Sequence, residues 1–180
     1  EAITTVISGD TDRTPDGGGT FLHTLFTGLG WTLAVALTAA VIALILGTAV
    51  GVARTTPLPW LARLGNAWVE LFRNIPLLVQ IFLWYFVVPA IFTPARDVPP
   101  FILVVLALGF FTSARIAEQL RAGIQALPRG QRYAGMAVGF TTWQYYRYVI
   151  LPMAYRMILP PLTSESMNIF KNSSVAFAVS

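Results

Sequence analysis

The feature that most constrains this chain is a long stretch without a formal charge. From Trp31 to Ala53 it reads WTLAVALTAAVIALILGTAVGVA. A helix that crosses the hydrocarbon core of a bilayer needs about 20 consecutive apolar residues, so this stretch is long enough to span. The whole chain of 180 residues is 56% hydrophobic and 11% charged. A soluble domain carries about 25% charged residues, so the sequence predicts a polytopic, all-α membrane protein.

Three further apolar stretches predict additional spans, and the last of them is interrupted by charges. Pro76 and Pro89 fall within the second and are predicted to mark bends, which membrane helices tolerate. In the first span, small residues recur at every fourth position, a pattern that lets another helix approach closely. These residues are Ala39, Ala43, Gly47 and Gly51. The predicted spans cover about residues 25–53, 74–94, 98–117 and 156–175.

The placement of arginine predicts the orientation in the membrane. Lys and Arg are retained in cytoplasmic loops, while acidic residues contribute little to topology. Nine arginines fall between the first and second spans or between the third and fourth, whereas only Arg13 and Arg96 fall on the other side. The amino terminus is therefore predicted to lie outside the cell, with residues 1–20 as a polar tail on the outer face and residues 21–180 as the membrane domain. The acidic start of this tail argues against a signal peptide.

Several kinds of chemistry lack the residues they require. The chain has no cysteine and one histidine, which leaves no material for thiolate or imidazole metal sites. No phosphate-binding GxxxxGK[ST] loop is present, so ATP is not bound in that way. Ser173 and Ser174 lie near Lys171, but nothing supplies the oxyanion donors of a Ser-Lys hydrolase. The arginines and aromatic residues between Trp143 and Tyr148 fit a membrane interface better than nucleic acid. A membrane-embedded enzyme is therefore the weaker alternative to a transporter.

The segment between the third and fourth spans is too polar for lipid and is divided by helix-ending residues. Arg115, Glu118 and Arg121 recur at intervals of three, so the sequence predicts a salt-bridge ladder on a helix that continues out of the third span. Pro128 and Gly130 are expected to end that helix.

A short helix is then predicted over Gln131–Val138, closed by Gly139 in the left-handed conformation. Thr141 and Gln144 form a capping box for a third segment, which Leu151 and Pro152 are expected to stop. The short helix would lie crosswise on the cytoplasmic face. Small residues on its surface, namely Ala134, Gly135 and Ala137, suit docking into a groove of a partner.

The same segment resembles the EAA loop of ATP-binding-cassette (ABC) importer permeases, whose helix couples to the ATPase subunit. Ala134 and Gly139 keep the motif, as does the distal pair Leu151 and Pro152. Tyr133 stands in place of the glutamate, and Gly135 in place of the second alanine. The resemblance implies a type I ABC importer permease fold of five spans, with a coupling loop at residues 128–152 and a final span after Ser180.

Two more stretches, VELFRNIPLLVQIFLWYF and LPPLTSESMNIFKNSS, are similar to the polar amino acid branch of these permeases, and most of all to glutamate/aspartate permease subunits. Glutamine, histidine or another polar amino acid is the alternative substrate. The resemblance implies a bacterial cytoplasmic membrane protein that is not itself an enzyme and carries no cofactor. Its implied partners are ATPase subunits that hold ATP and magnesium, a second permease subunit, identical or homologous, and an extracytoplasmic amino-acid-binding protein. No nucleic acid partner is implied.

Two charges inside the fourth apolar stretch, Glu165 and Lys171, leave two interpretations open. Six residues apart on an ideal helix, they point about 240° away from each other, so they are not expected to pair within the helix. Each charge could find a neighbouring helix, or Lys171 could lie at the outer interface. Alternatively, Lys171 and Asn168, one turn earlier, line the substrate path and attract the side-chain carboxylate of an anionic amino acid. Glu165 is a further candidate residue of that path.

Overall fold

The computed structural model describes residues 21–174, so the predicted outer tail lies outside the described residues. This range is helical with short connections and contains no strand. The α-helices are α1 (Phe21–Ala53), α2 (Pro59–Asn74), α3 (Leu77–Phe82), α4 (Val88–Ile91), α5 (Pro100–Gln125), α6 (Arg129–Ala137), α7 (Thr142–Tyr145) and α8 (Leu151–Ser173). Two π-helical segments, Leu83–Val87 and Tyr146–Ile150, join α3 to α4 and α7 to α8, and a 3₁₀ turn covers Thr93–Asp97.

The core of the fold is the packing of α1 against α5 along the predicted stripe of small residues. Ala39, Ala43, Gly47 and Gly51 are all buried. A Cβ atom added to Gly47 would lie 2.7 Å from the Ile116 Cβ and 2.9 Å from the Ser113 carbonyl oxygen. The two backbones can approach this closely only because no side chain stands between them. The prediction that another helix packs on this stripe is therefore confirmed.

The second predicted span is sharply broken near its start. Asn74 ends α2, Ile75 and Pro76 are extended, and α3 begins at Leu77 after a bend of 100°. A proline disfavours helical backbone at the residue before it, which explains the break. The Gln80 side chain donates hydrogen bonds to the carbonyl oxygens of Phe72 and Ile75, at 2.7 and 2.9 Å. The bend predicted at Pro76 is confirmed, but the helix starts after the predicted boundary at residue 74.

Each π-helical segment is followed two residues later by a proline, Pro89 in one case and Pro152 in the other. Proline lacks the N–H of the helical ladder, and its ring clashes with the carbonyl four residues earlier. A single wide turn re-routes the hydrogen bonds at that point, so the helix continues through the proline. The expectation that Leu151 and Pro152 stop the preceding segment is therefore wrong, because the chain stays helical from Thr142 to Ser173.

Within the described residues, Leu25–Ala53 and Pro100–Gln125 are long and apolar enough to cross a membrane. The bent pair formed by Pro59–Asn74 and Leu77–Ile91 would add a third crossing if it is one broken span. The helix α8 is less apolar than these, and it includes Pro160 and Pro161 as well as charged residues. A fourth span over residues 156–175 stays a prediction.

Candidate coupling helix and polar pocket

The short helix α6 is terminated by Gly139, whose φ of 82° lies in the left-handed region. The amide of Phe140 donates to the Gly135 carbonyl at 3.1 Å, and the amide of Gly139 donates to the Met136 carbonyl at 3.0 Å. These two bonds form a Schellman motif, which satisfies the last carbonyls of a helix and turns the chain. Glycine adopts positive φ without the steric cost that a Cβ imposes. The predicted helix and its left-handed terminator are therefore present.

The chain re-enters a helix almost immediately through the predicted capping box. Thr141 accepts a hydrogen bond from the backbone amide of Gln144, and the Gln144 side chain accepts one from the backbone amide of Thr141. Reciprocal bonds of this kind satisfy donors that the first turn would otherwise leave free. The turn between α6 and α7 is thus defined at both ends by local hydrogen bonds.

The exposed surface of α6 is made of small and apolar side chains. Ala134 and Ala137 are exposed, and they lie beside three larger exposed residues, Tyr133, Met136 and Val138. Tyr133 is 64% exposed and Val138 is 75% exposed. Apolar surface of this kind is typical of an interface with another protein.

Gly135 does not belong to this surface, contrary to the prediction. It is buried, and a Cβ at this position would lie 2.9 Å from Cδ2 of Tyr145. Its missing side chain lets α6 lie against the aromatic ring that begins the next helix. The glycine therefore serves packing within the loop and not contact with a partner.

Leu151 and Pro152 lie at the start of α8, away from the exposed face of α6. Leu151 packs against the buried cluster that joins α5 to the α7–α8 region, which includes Leu120, Tyr146 and Ile150. The Tyr146 hydroxyl also donates to the Thr55 carbonyl at 2.5 Å, which ties this region to the end of α1. These contacts place Leu151 in the packing beneath the loop, whereas Pro152 is exposed.

The predicted salt-bridge ladder on α5 is only partly correct. Glu118 pairs with Arg121, one turn later on the same helix, and with Arg54 at the end of α1. Arg73 of α2 lies 3.6 Å from the same carboxylate. Glu118 therefore joins three helices at one end of the bundle, which the spacing along α5 alone did not indicate.

Arg115, the third member of the predicted ladder, instead binds Glu165 of α8. Nε donates to Oε2 and Nη2 donates to Oε1, both at 2.9 Å, and Gln119 donates to Oε1 at 3.2 Å. Paired guanidinium–carboxylate bonds of this geometry are among the stronger polar contacts in proteins. Glu165 thus finds a neighbouring helix, as the first of the two interpretations expected.

The other residues of the predicted substrate path lie further along α8. Asn168 is half-buried and Lys171 is exposed, and neither makes a side-chain hydrogen bond or ion pair with another residue in the range 21–174. Their role in a path stays a prediction. Sequence reasoning did not single out Arg73 or Gln119, which lie beside the Arg115–Glu165 pair. In the sequence analysis, Arg73 entered only the count of arginines that predicts the orientation in the membrane. Arg73 and α5 are far apart along the chain, so no local pattern links them.

Comparison with known proteins gives the class of this chain. Residues 57–179 match the family described as binding-protein-dependent transport system inner membrane component. The chain is 45% identical over 177 residues to the glutamate/aspartate import permease protein GltJ of Escherichia coli (strain K12), an alignment that covers 93% of this chain and 72% of GltJ. The chain belongs to this family and is a permease subunit of an amino acid ABC importer, whose ATPase is a separate subunit.

Two further relatives support this class. The "Probable glutamine ABC transporter permease protein GlnM" of Bacillus subtilis (strain 168) is 44% identical over 146 residues, which cover 77% of this chain and 65% of GlnM. A solved amino acid ABC transporter with histidines superposes with a TM-score of 0.71 at 30% identity, covering 88% of this chain and 76% of that one. The predicted all-α, ABC importer permease fold is therefore confirmed.

Proposed function

We propose that this permease subunit carries glutamate and aspartate. The observation that supports this proposal most is the 45% identity to a glutamate/aspartate permease over 93% of the chain. Glutamine is the second candidate, because a glutamine permease is 44% identical over a shorter part of the chain. Histidine or another polar amino acid remains a further alternative.

The proposed assembly contains three kinds of partner. ATPase subunits would bind ATP and magnesium, a second permease subunit would complete the path across the bilayer, and an extracytoplasmic binding protein would deliver the substrate. The chain itself would hold no cofactor.

Coupling to the ATPase is assigned to the exposed face of α6, formed by Tyr133, Ala134, Met136 and Ala137. Gly139 would set the angle at which this helix leaves the loop, while Gly135 packs it on Tyr145. Leu151 would support the loop from below. The apolar, small-residue surface supports this assignment. The locally defined turn supports it as well, because a coupling helix must keep its shape while the ATPase moves.

Uptake by the reconstituted complex tests the choice of substrate. The chain would be co-expressed with its partner permease and ATPase, reconstituted into liposomes with its binding protein, and tested with radiolabelled glutamate, aspartate, glutamine and histidine. ATP-dependent uptake of the two acidic amino acids, at least tenfold faster than that of the others, is expected. Faster uptake of glutamine would replace the proposed substrate with the second candidate.

Replacing Gly139 with valine tests the coupling assignment. A branched side chain at positive φ costs about 1–3 kcal/mol, so the turn would be misdirected while the spans still insert. Substrate-stimulated ATP hydrolysis and uptake should fall by at least tenfold in Gly139→Val, while expression is retained. Gly139→Asn, a residue that tolerates this conformation better, is the matched control and should keep most of the activity. Normal transport by the valine variant would show that this turn does not control coupling.

The orientation with the amino terminus outside the cytoplasmic membrane is also part of the proposal. The native chain has no cysteine, so single cysteines can be labelled without background. A membrane-impermeant thiol reagent should label Thr93→Cys in intact cells and leave Gln131→Cys unlabelled. The reverse pattern would invert the topology.

A further inference from the structure

A polar pocket of about 350 Å³ opens between α2, α5 and α8. Its volume is in the range of sites that hold small molecules. It is distinct from the coupling surface, and its walls are rich in charged groups for so apolar a chain. Its lining residues are Arg73, Phe111, Arg115, Glu118, Gln119 and Glu165.

The electrostatic balance of this pocket favours an anion. Glu165 is paired with Arg115, and Glu118 is shared by the three arginines at positions 54, 73 and 121. The lining itself is balanced, with Arg73 and Arg115 against Glu118 and Glu165. Arg54 and Arg121 lie outside the lining but pair with Glu118, so the cluster around the pocket has two more positive than negative charges. Charges that are partly removed from water attract an anionic ligand more strongly than charges fully surrounded by water.

Three side chains of the pocket also have donor or acceptor groups that are free to bind a ligand. Arg115 uses Nε and Nη2 for Glu165, and its Nη1 group makes no hydrogen bond within the described part of the chain, although the side chain is 44% exposed. Arg73 is 51% exposed and makes only the 3.6 Å contact with Glu118. Oε1 of Gln119 is buried without a hydrogen-bond partner among residues 21–174. The pocket therefore offers guanidinium donors next to one amide acceptor.

Arginines this exposed do not suit contact with hydrocarbon. A charged side chain in the bilayer interior costs about 2.5–3.5 kcal/mol or more, so such groups face water, a ligand or a protein partner. Phe111 covers one side of Arg115, with the guanidinium carbon 5.9 Å from the ring centre. This stacking leaves the outer edge of the guanidinium free to donate.

From this arrangement we infer that the pocket binds the carboxylate groups of an acidic amino acid during its passage through the complex. Arg73 and Nη1 of Arg115 would donate to the carboxylates, and Oε1 of Gln119 would accept from the ammonium group. Arg115 would be held in place by Glu165. This inference rests on the proposed function, and it places substrate contacts on α2 and α5, nearer the cytoplasmic loops than Lys171.

Direct binding to the assembled complex tests the inference. Radiolabelled glutamate would be titrated against the permease–ATPase complex in lipid nanodiscs, without the binding protein, so that affinity reports on the membrane subunits alone. Arg73→Gln should weaken glutamate binding about tenfold to hundredfold, the loss expected when one charged hydrogen bond is removed. Arg63→Gln removes the same charge from an exposed position on the same helix and should change the affinity less than twofold.

Competition with unlabelled amino acids identifies what the pocket recognises. Aspartate should displace glutamate from the wild type, while glutamine, which lacks the second carboxylate, should need at least a tenfold higher concentration. Unchanged affinity in Arg73→Gln, equal competition by glutamine, or no saturable binding to the wild type would each overturn the inference.

A second variant covers the case in which Arg73→Gln fails to assemble. The double replacement Arg115→Gln with Glu165→Gln removes the ion pair without leaving a lone charge, and it should also weaken binding at least tenfold. Failure of the proposed function gives a different result. A wild type that imports glutamine and not glutamate rejects the proposed substrate, whereas glutamate uptake with unchanged binding in both variants rejects only the pocket.

Discussion

The two longest helices, α1 and α5, share one tightly packed seam but differ on their far sides. The far side of α1 is an exposed row of aliphatic residues that includes Leu37, Val41 and Ile45. The far side of α5 carries Arg115 and Glu118, which bind side chains from other helices. The two faces therefore need different surroundings: hydrocarbon suits the first face, and a watery or protein-lined space suits the second.

The largest expected effect comes from adding a side chain inside the seam between α1 and α5. Gly47→Val would place carbon atoms within 3 Å of Ile116 and of the Ser113 carbonyl, and that backbone oxygen cannot rotate away. Overpacking costs about 1–3 kcal/mol and occasionally more, and the upper end applies here. Gly30→Val is the matched control, because a Cβ there meets no atom within 4 Å. Thermal stability of the purified complex should fall sharply only in the first variant.

The apolar far side of α1 can be challenged by placing a charge on it. Val41→Asp should cost about 2.5–3.5 kcal/mol of insertion free energy if this face meets lipid. The measured quantity would be the fraction of chain integrated into the membrane, with Val41→Ala as the control. If the aspartate is tolerated as well as alanine, this face meets water or a polar partner, and the contrast with α5 disappears.

How far the sequence predicts each face depends on the sequence distance between the interacting residues. The small residues of the seam recur every fourth position, so their shared face is visible in the pattern itself. The turn after α6 depends on residues that are only a few positions apart, namely Gly139, Thr141 and Gln144. The structure has the predicted turn and cap. Signals of this local kind need no knowledge of the tertiary fold.

Contacts between distant helices were not predictable in the same way. Arg115 has Glu118 three residues away, so spacing favoured that pair, yet its actual partner Glu165 is 50 residues away along the chain. Gly135 looked like one of several small surface residues, but the position of Tyr145 buries it. Pro152 looked like a helix terminator, and the preceding π-helical turn accommodates it.

The ion pair on the polar side of α5 can be tested by removing one charge. Glu165→Gln would leave the Arg115 guanidinium without its carboxylate, at a cost of about 1–3 kcal/mol because Arg115 is partly exposed. Adding Arg115→Gln should recover part of the lost thermal stability. Glu70→Gln, the same replacement at an exposed site on α2, should have little effect. Equal losses in the single and double variants would mean that the pair itself contributes nothing to stability.

Cysteine accessibility in the assembled complex tests the contrast between the two far sides most directly. Phe111→Cys lies in the polar pocket and Val41→Cys lies on the aliphatic face of α1, and the chain has no other cysteine. Only a thiol in contact with water forms the reactive thiolate, so a hydrophilic reagent applied to both sides of the membrane should modify Phe111→Cys at least tenfold faster. A negatively charged reagent should react with it faster than a positively charged one, because the four arginines around the pocket outnumber its two glutamates. Modification of Val41→Cys at an equal or faster rate would contradict the account.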